Sequence, residues 1–73
     1  DRPEGSYTSY LFEEGPEKIR KKTGEEAVEV ILARSRDELV HEGADLIYHL
    51  LVLYEAEGIP VSALLDELAS RRR

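Results

Sequence analysis

Apolar residues return every three or four positions along most of this chain, and nowhere do they alternate with polar ones. That is the 3.6-residue period of helices rather than the two-residue period of strands. No Asn-Gly or Asp-Gly hairpin signal accompanies it. Residues 1–7, DRPEGSY, hold Pro3 and Gly5 and read as an irregular opening segment. Thr8 is a candidate N-cap for a short helix over Ser9–Glu14. Gly15-Pro16 ends it, since glycine suits a left-handed C-cap and proline suits the first turn of the next helix. The spacing of Ile19, Thr23, Ala27, Val30 and Ile31 predicts a second helix from about Pro16 to Ala33. Gly24 lies inside it, either tolerated or leaving room for a neighbouring helix or ligand. Ser35 or Asp37 can cap a third helix that runs to about Glu57 and stops at Gly58. Leu64, Leu65 and Leu68 form the stripe of a fourth, from Val61 to about Arg71, with Arg71, Arg72 and Arg73 at its negative end. The pattern specifies an all-α fold, one domain over residues 1–73.

The third helix is the odd one. ADLIYHLLVLY, residues 44–54, is nearly apolar around its whole circumference. Such a helix belongs at the centre of a structure. Three other short helices leave part of Leu46, Ile47, Leu50, Leu51, Leu53 and Tyr54 uncovered, and a large exposed apolar patch marks an interaction surface. A symmetric homodimer is the commonest solution. Pairing the second and third helices of two copies would give a four-helix bundle core, and further pairing into a tetramer stays open.

Size sharpens that expectation. A 73-residue chain draws little stability from its own core and usually needs a further staple. Cysteine is absent, so disulfides and thiolate metal sites are excluded. Oxygen-ligated metal and self-association remain. The sequence shows no signal peptide and no apolar run of membrane-spanning length, and we expect a cytoplasmic protein. The net charge of −6 argues against nucleic-acid binding. Lys18, Arg20, Lys21 and Lys22 nevertheless cluster, so a phosphorylated metabolite gripped by a metal and a few cations fits the balance.

The chemistry lies in the carboxylates. Glu25, Glu26 and Glu29 fall within one turn of the second helix, and Glu42 and Asp45 form an i,i+3 pair on the third, just before its apolar stretch. Like charges so placed repel. If the two helices run antiparallel, Glu29 and Glu42 both stand roughly 9 to 10 Å from the turn. Four or five carboxylates at one height would repel strongly without a cation among them. An all-oxygen set suits Mg²⁺ or Mn²⁺, which can polarise phosphoryl oxygens and generate a nucleophile from water. Lys18, Lys21 and Lys22, one to two turns earlier, are placed to meet more distant phosphates. The competing reading is a solvated acidic face on a small dimerisation module. A zinc site is disfavoured, because His41-Glu42-x-x-Asp45 lacks the second histidine of HExxH. His41 reads as a partly exposed helix residue and His49 as a packed one at the dimer seam. Tyr48 and Tyr54 read as core or interface residues, and Tyr7 and Tyr10 as packing residues with stacking on an adenine as the alternative.

Glu25-Glu26-Ala27-Val28-Glu29, then Glu42-Gly43-Ala44-Asp45, is the EExxE…ExxD pattern of the MazG-like all-α nucleotide pyrophosphohydrolases. With SYTSYLFEEG at 6–15, KIRKKTGEEAVEV at 18–30 and EGADLIYHLLVLYEAEGI at 42–59, the chain most resembles the phosphoribosyl-ATP pyrophosphatases within them. The resemblance implies Mg²⁺-dependent hydrolysis of the α–β phosphoanhydride of 1-(5-phosphoribosyl)-ATP to phosphoribosyl-AMP and pyrophosphate, the second step of histidine biosynthesis. It implies metal binding by Glu25, Glu26, Glu29, Glu42 and Asp45, with Glu26 or Glu29 acting on the attacking water. Lys22 matches a lysine of the motif and is the foremost phosphate contact. Ser6, Tyr7 and Thr8 match an N-terminal segment that would close over the ligand. A housecleaning hydrolase of other nucleoside triphosphates is the alternative within the same superfamily. Family members usually carry a further helix before SYTS, and what that helix adds to the dimer or the substrate pocket stays open for this sequence.

Overall fold

The structure is a computed structural model and describes residues 3–72. It contains four helices: α1 (Pro3–Glu14), α2 (Pro16–Leu32), α3 (Arg36–Ala56) and α4 (Val61–Ser70). No strand occurs among the described residues. The first helix differs from expectation. It begins at Pro3, so the stretch read as an irregular opening is helical, and Thr8 lies inside it rather than capping it. Proline is at home in a helix's first turn, where its missing N–H bonds nothing anyway. Residues 1 and 2 of that opening segment, and Arg73 of the closing arginine run, lie outside the described residues.

Two glycines set the corners. Gly15 adopts φ +96° and ψ 172°. That is a glycine-only conformation but not the left-handed C-cap expected of it; it turns the chain sharply from α1 into Pro16, the first residue of α2. Gly58, at φ +72°, is the left-handed residue that ends α3. Between α2 and α3, Ser35 is extended and its hydroxyl accepts from the Glu38 amide at 3.1 Å. The Glu38 carboxylate accepts from the Arg34 amide at 2.8 Å, so the turn is capped from both sides. Gly24 has open space around it and is simply tolerated.

α2 and α3 form an antiparallel hairpin, tied at its open end by Arg20 and Glu57 at 3.1 Å. α1 lies across that same end and packs on both. The core sits there: Leu11 and Ile19 are fully buried and Val52 nearly so, with Tyr7, Tyr48, Leu53 and Ala56 packed around them. The loop half of the hairpin has no such cover. Val28, Ile31, Leu32, Leu39, Val40 and Ile47 are all exposed. α4 packs only weakly on the rest, leaving Leu65 and Leu68 in the open. The fold is thus all-α as read, with its apolar surface half used.

Candidate functional site

The acidic residues stand at the boundary between the covered and uncovered halves of the hairpin. With Arg34 at the centre of the turn, Glu29 and Glu26 lie roughly 8 and 12 Å along α2, and Glu42 and Asp45 roughly 12 and 17 Å along α3. Their heights overlap. On α3 the helical spacing brings side chains together: the ligand atoms of His41, Glu42 and Asp45 lie within 4.8 Å of one another. His41 Nε2 is 3.4 Å from Asp45 Oδ2, one turn on. His41 is exposed, more openly than the partly exposed residue expected, while Glu42 and Asp45 are half-buried. Among the described residues, no group of three or more at that spacing includes Glu25, Glu26 or Glu29. Two carboxylates with an adjacent imidazole are a donor set that suits a divalent cation.

On α2 the charges pair locally. Lys22 Nζ is 3.0 Å from Glu25 Oε1. Hydrogen bonding to Lys22 holds the Glu25 carboxyl below its ordinary range, and the same bond pushes the Lys22 ammonium up. Glu26 is half-buried and Glu29 exposed. The predicted cations separate into two sets. Lys18 is turned toward α1, with its ammonium 5.8 Å over the Tyr10 ring, whereas Lys21 is exposed and Lys22 half-buried beside the glutamates.

α1 closes one side of this region. Ser6 is exposed, while Tyr7 and Thr8 are half-buried against α3. The Tyr7 hydroxyl is 2.8 Å from His49 Nε2, and the Thr8 hydroxyl is hydrogen-bonded to that of Tyr48. His49 Nδ1 lies 2.8 Å from the Asp45 carbonyl oxygen. A carbonyl only accepts, so Nδ1 carries the proton, and in the neutral ring Nε2 accepts from Tyr7. Burial raises the Tyr7 phenol; Lys22 pulls it back down, and Tyr48, Glu26 and Tyr10 add to the rise. One hydroxyl therefore feels Lys22 and Glu26 from α2 and touches His49 from α3, which puts the EExxE turn and the ExxD turn under the same edge of α1. Periodicity alone missed this polar junction. Its signal was two neighbouring hydrogen-bonding pairs, Tyr7-Thr8 and Tyr48-His49, of which Tyr7, Tyr48 and His49 read as packing and Thr8 as a helix cap.

The family model described as phosphoribosyl-ATP pyrophosphohydrolase matches residues 1–72. The chain belongs to that family. Among similar curated proteins, the histidine biosynthesis bifunctional protein HisIE of Pyrococcus furiosus is 54% identical over 70 residues, 96% of this chain and 34% of that protein. The phosphoribosyl-ATP pyrophosphatase of Pelotomaculum thermopropionicum is 53% identical over 75 residues, 99% of this chain and 76% of that protein. That of Listeria monocytogenes serotype 4a is 54% identical over 70 residues, 93% of this chain and 68% of that protein. The chain thus spans about a third of its bifunctional relative. The phosphoribosyl-ATP pyrophosphohydrolase family is a family of hydrolases, and the EExxE and ExxD turns of this member lie on the two helices that pack most extensively. No helix among the described residues is long and apolar enough to cross a membrane.

Proposed function

We propose that the chain hydrolyses the α–β phosphoanhydride of 1-(5-phosphoribosyl)-ATP, yielding phosphoribosyl-AMP and pyrophosphate in histidine biosynthesis. The family match across residues 1–72 carries the reading. The acidic turns of α2 and α3 support it chemically. Mg²⁺, or Mn²⁺ in its place, would be held by Glu42 and Asp45 together with Glu25, Glu26 and Glu29. When bound, such an ion neutralises phosphoryl oxygens and acidifies water.

The chain's own side chains supply the rest. Glu26 or Glu29 is the base for the water proton: the water oxygen bonds to phosphorus, the bridging P–O bond breaks, pyrophosphate leaves and that carboxylate takes the proton. Half-buried Glu26, under the rim of α1, stands where water is partly excluded and the charge of Lys22 is felt. Lys21 and Lys22 meet the outer phosphates as point charges. Glu25 keeps Lys22 charged and near the glutamates until the substrate's phosphates compete for it. Lys18 sits over Tyr10 and contributes from further out. Ser6, Tyr7 and Thr8 line the side that α1 closes.

The partner in assembly is a second copy of the chain. The loop half of the hairpin and the stripe of α4 expose apolar residues that α1 does not reach, and a homodimer would cover them around a shared four-helix core. The reading involves no nucleic acid and no membrane.

Release of pyrophosphate from phosphoribosyl-ATP, ATP and dCTP in the presence of Mg²⁺ tests the activity. Turnover of the phosphoribosyl nucleotide at least about a hundredfold above the others is expected. Comparable turnover of ATP or dCTP would make this a housecleaning hydrolase. No turnover of any of the three would make the glutamates a solvated face.

A further inference from the structure

His49 is the one buried polar side chain among the described residues, 5% exposed. It touches no other titratable side chain by hydrogen bond except Tyr7. Nothing in the chemistry proposed above uses it. Yet both its ring nitrogens are engaged, one on each side of the site: Nδ1 on the Asp45 carbonyl and Nε2 on the Tyr7 hydroxyl, each at 2.8 Å. The ring is also packed edge-on by Tyr7 and Tyr48, with centroids 5.5 and 5.2 Å away. An imidazole held this way has one orientation and one tautomer.

α1 needs such a holder. Its apolar contribution to the described core is Leu11, with Tyr7 alongside; Tyr10 and Phe12 are exposed. A helix this lightly packed belongs to the low-stability end of a structure and opens locally unless something specific holds it. The specific contacts are the Tyr7–His49 and Thr8–Tyr48 bonds, on adjacent residues of α1 and adjacent residues of α3.

The geometry points to His49 as a positioning residue: taking its bearing from the Asp45 turn, it latches Tyr7 and so holds α1 docked beside the EExxE and ExxD turns. This deepens the proposed function and rests on it for its kinetic consequence, though not for the latch itself. His49 does not touch reacting atoms. Losing the latch shifts α1 toward an undocked state, and apparent substrate affinity falls by the fraction of molecules left closed. The chemical step in the closed complex is unchanged.

Two variants test it. Tyr7→Phe removes only the hydroxyl. His49→Asn keeps a donor near the Asp45 carbonyl and loses reach to Tyr7. In native-state hydrogen exchange on the full chain, both variants should speed exchange of the α1 amides about tenfold and leave those of α2 and α3 as they were. The double variant should add nothing further, because both changes break one bond. With phosphoribosyl-ATP, the KM of His49→Asn should rise about tenfold while its kcat stays within about twofold. A merely structural histidine would give the opposite split, fewer active molecules with KM unmoved. Long-range ¹H–¹⁵N spectra of the wild type should show the His49 ring protonated at Nδ1 and accepting at Nε2. Unchanged α1 exchange in both variants overturns the latch whatever the enzyme does. If α1 exchange rises but the wild type turns over no nucleotide, the latch stands and the functional reading falls.

Discussion

Lys22 and Glu25 sit 3.0 Å apart on neighbouring turns of α2, and each holds the other in its charged form. The Glu25 carboxyl lies below its ordinary value of 4.5 and the Lys22 ammonium above its ordinary 10.5, in both cases chiefly through their mutual hydrogen bond. A depressed carboxyl contributes stability above its unfolded pKa, and the contribution is lost as pH falls through the folded one. A raised ammonium contributes below its unfolded pKa and is lost as pH rises through the folded one. The pair is therefore intact from mildly acidic to mildly alkaline pH. Both side chains are open to water, 30% and 48% exposed, so removal of the pair should barely move the urea midpoint at neutral pH. Lys22→Met should instead be seen in the titration of Glu25, followed by ¹³C NMR, which should move up toward the ordinary carboxyl range. KM for the nucleotide should rise about tenfold if the ammonium meets a phosphate. A Glu25 titration that does not move would separate the two residues.

The helices were legible in the sequence because their stripes and their punctuation agree. Gly15-Pro16, Ser35 and Gly58 each fall where a helix must end or begin, and α2, α3 and α4 begin and end within one residue of their expected positions. The start of α1 was not legible. Pro3 suits a first turn but does not call for one, Gly5 weighs against a helix on propensity, and what favours one there is docking of Tyr7 and Thr8 on α3, a contact forty residues away in sequence that no local pattern contains. The acidic turns were readable because EExxE and ExxD repeat helical spacing beside apolar runs. How far the two turns reach toward each other was not, since like charges hold side chains apart and helix heights alone do not fix their rotamers. His41, dismissed as half of an incomplete zinc motif, turned out to stand against Asp45.

Replacing a carboxylate by its amide separates charge from shape. Asp45→Asn and Glu29→Gln should each lower kcat by at least about a hundredfold. The fold should persist or gain a few tenths of a kcal/mol, because a like-charge repulsion along the helix is relieved. Calorimetric titration with Mn²⁺ should show weaker binding in both, and a chelator should abolish pyrophosphate release until Mg²⁺ or Mn²⁺ is restored. Unfolding of either variant, seen by circular dichroism, would count against a role confined to the site.

The exposed side of the hairpin makes its own forecast. Ile31 is 69% and Ile47 58% exposed, so in an isolated chain an aspartate at either position should cost little stability. In the proposed homodimer both lie on surfaces that a second copy would cover. Light scattering should give twice the 8.3 kDa chain mass for the wild type and the single mass for Ile31→Asp combined with Ile47→Asp. A wild type that runs as a monomer at micromolar concentration would leave the apolar face to some other partner.

Glycines in this chain serve different ends, and alanine tells them apart. Gly24 lies inside α2 with nothing near the position of an added Cβ, so Gly24→Ala should stabilise by roughly 0.5–1 kcal/mol through helix propensity and a less free unfolded chain. Gly58 has just as much room, but its φ of +72° disfavours any side chain, and Gly58→Ala should cost roughly 1–2 kcal/mol. Space is equal at the two sites, so backbone conformation alone sets the sign. Urea unfolding of the two variants side by side measures it. Opposite shifts of the midpoint are expected, and destabilisation at both sites would mean that Gly24 is needed as glycine, for close approach of the second chain to α2 beside Glu25.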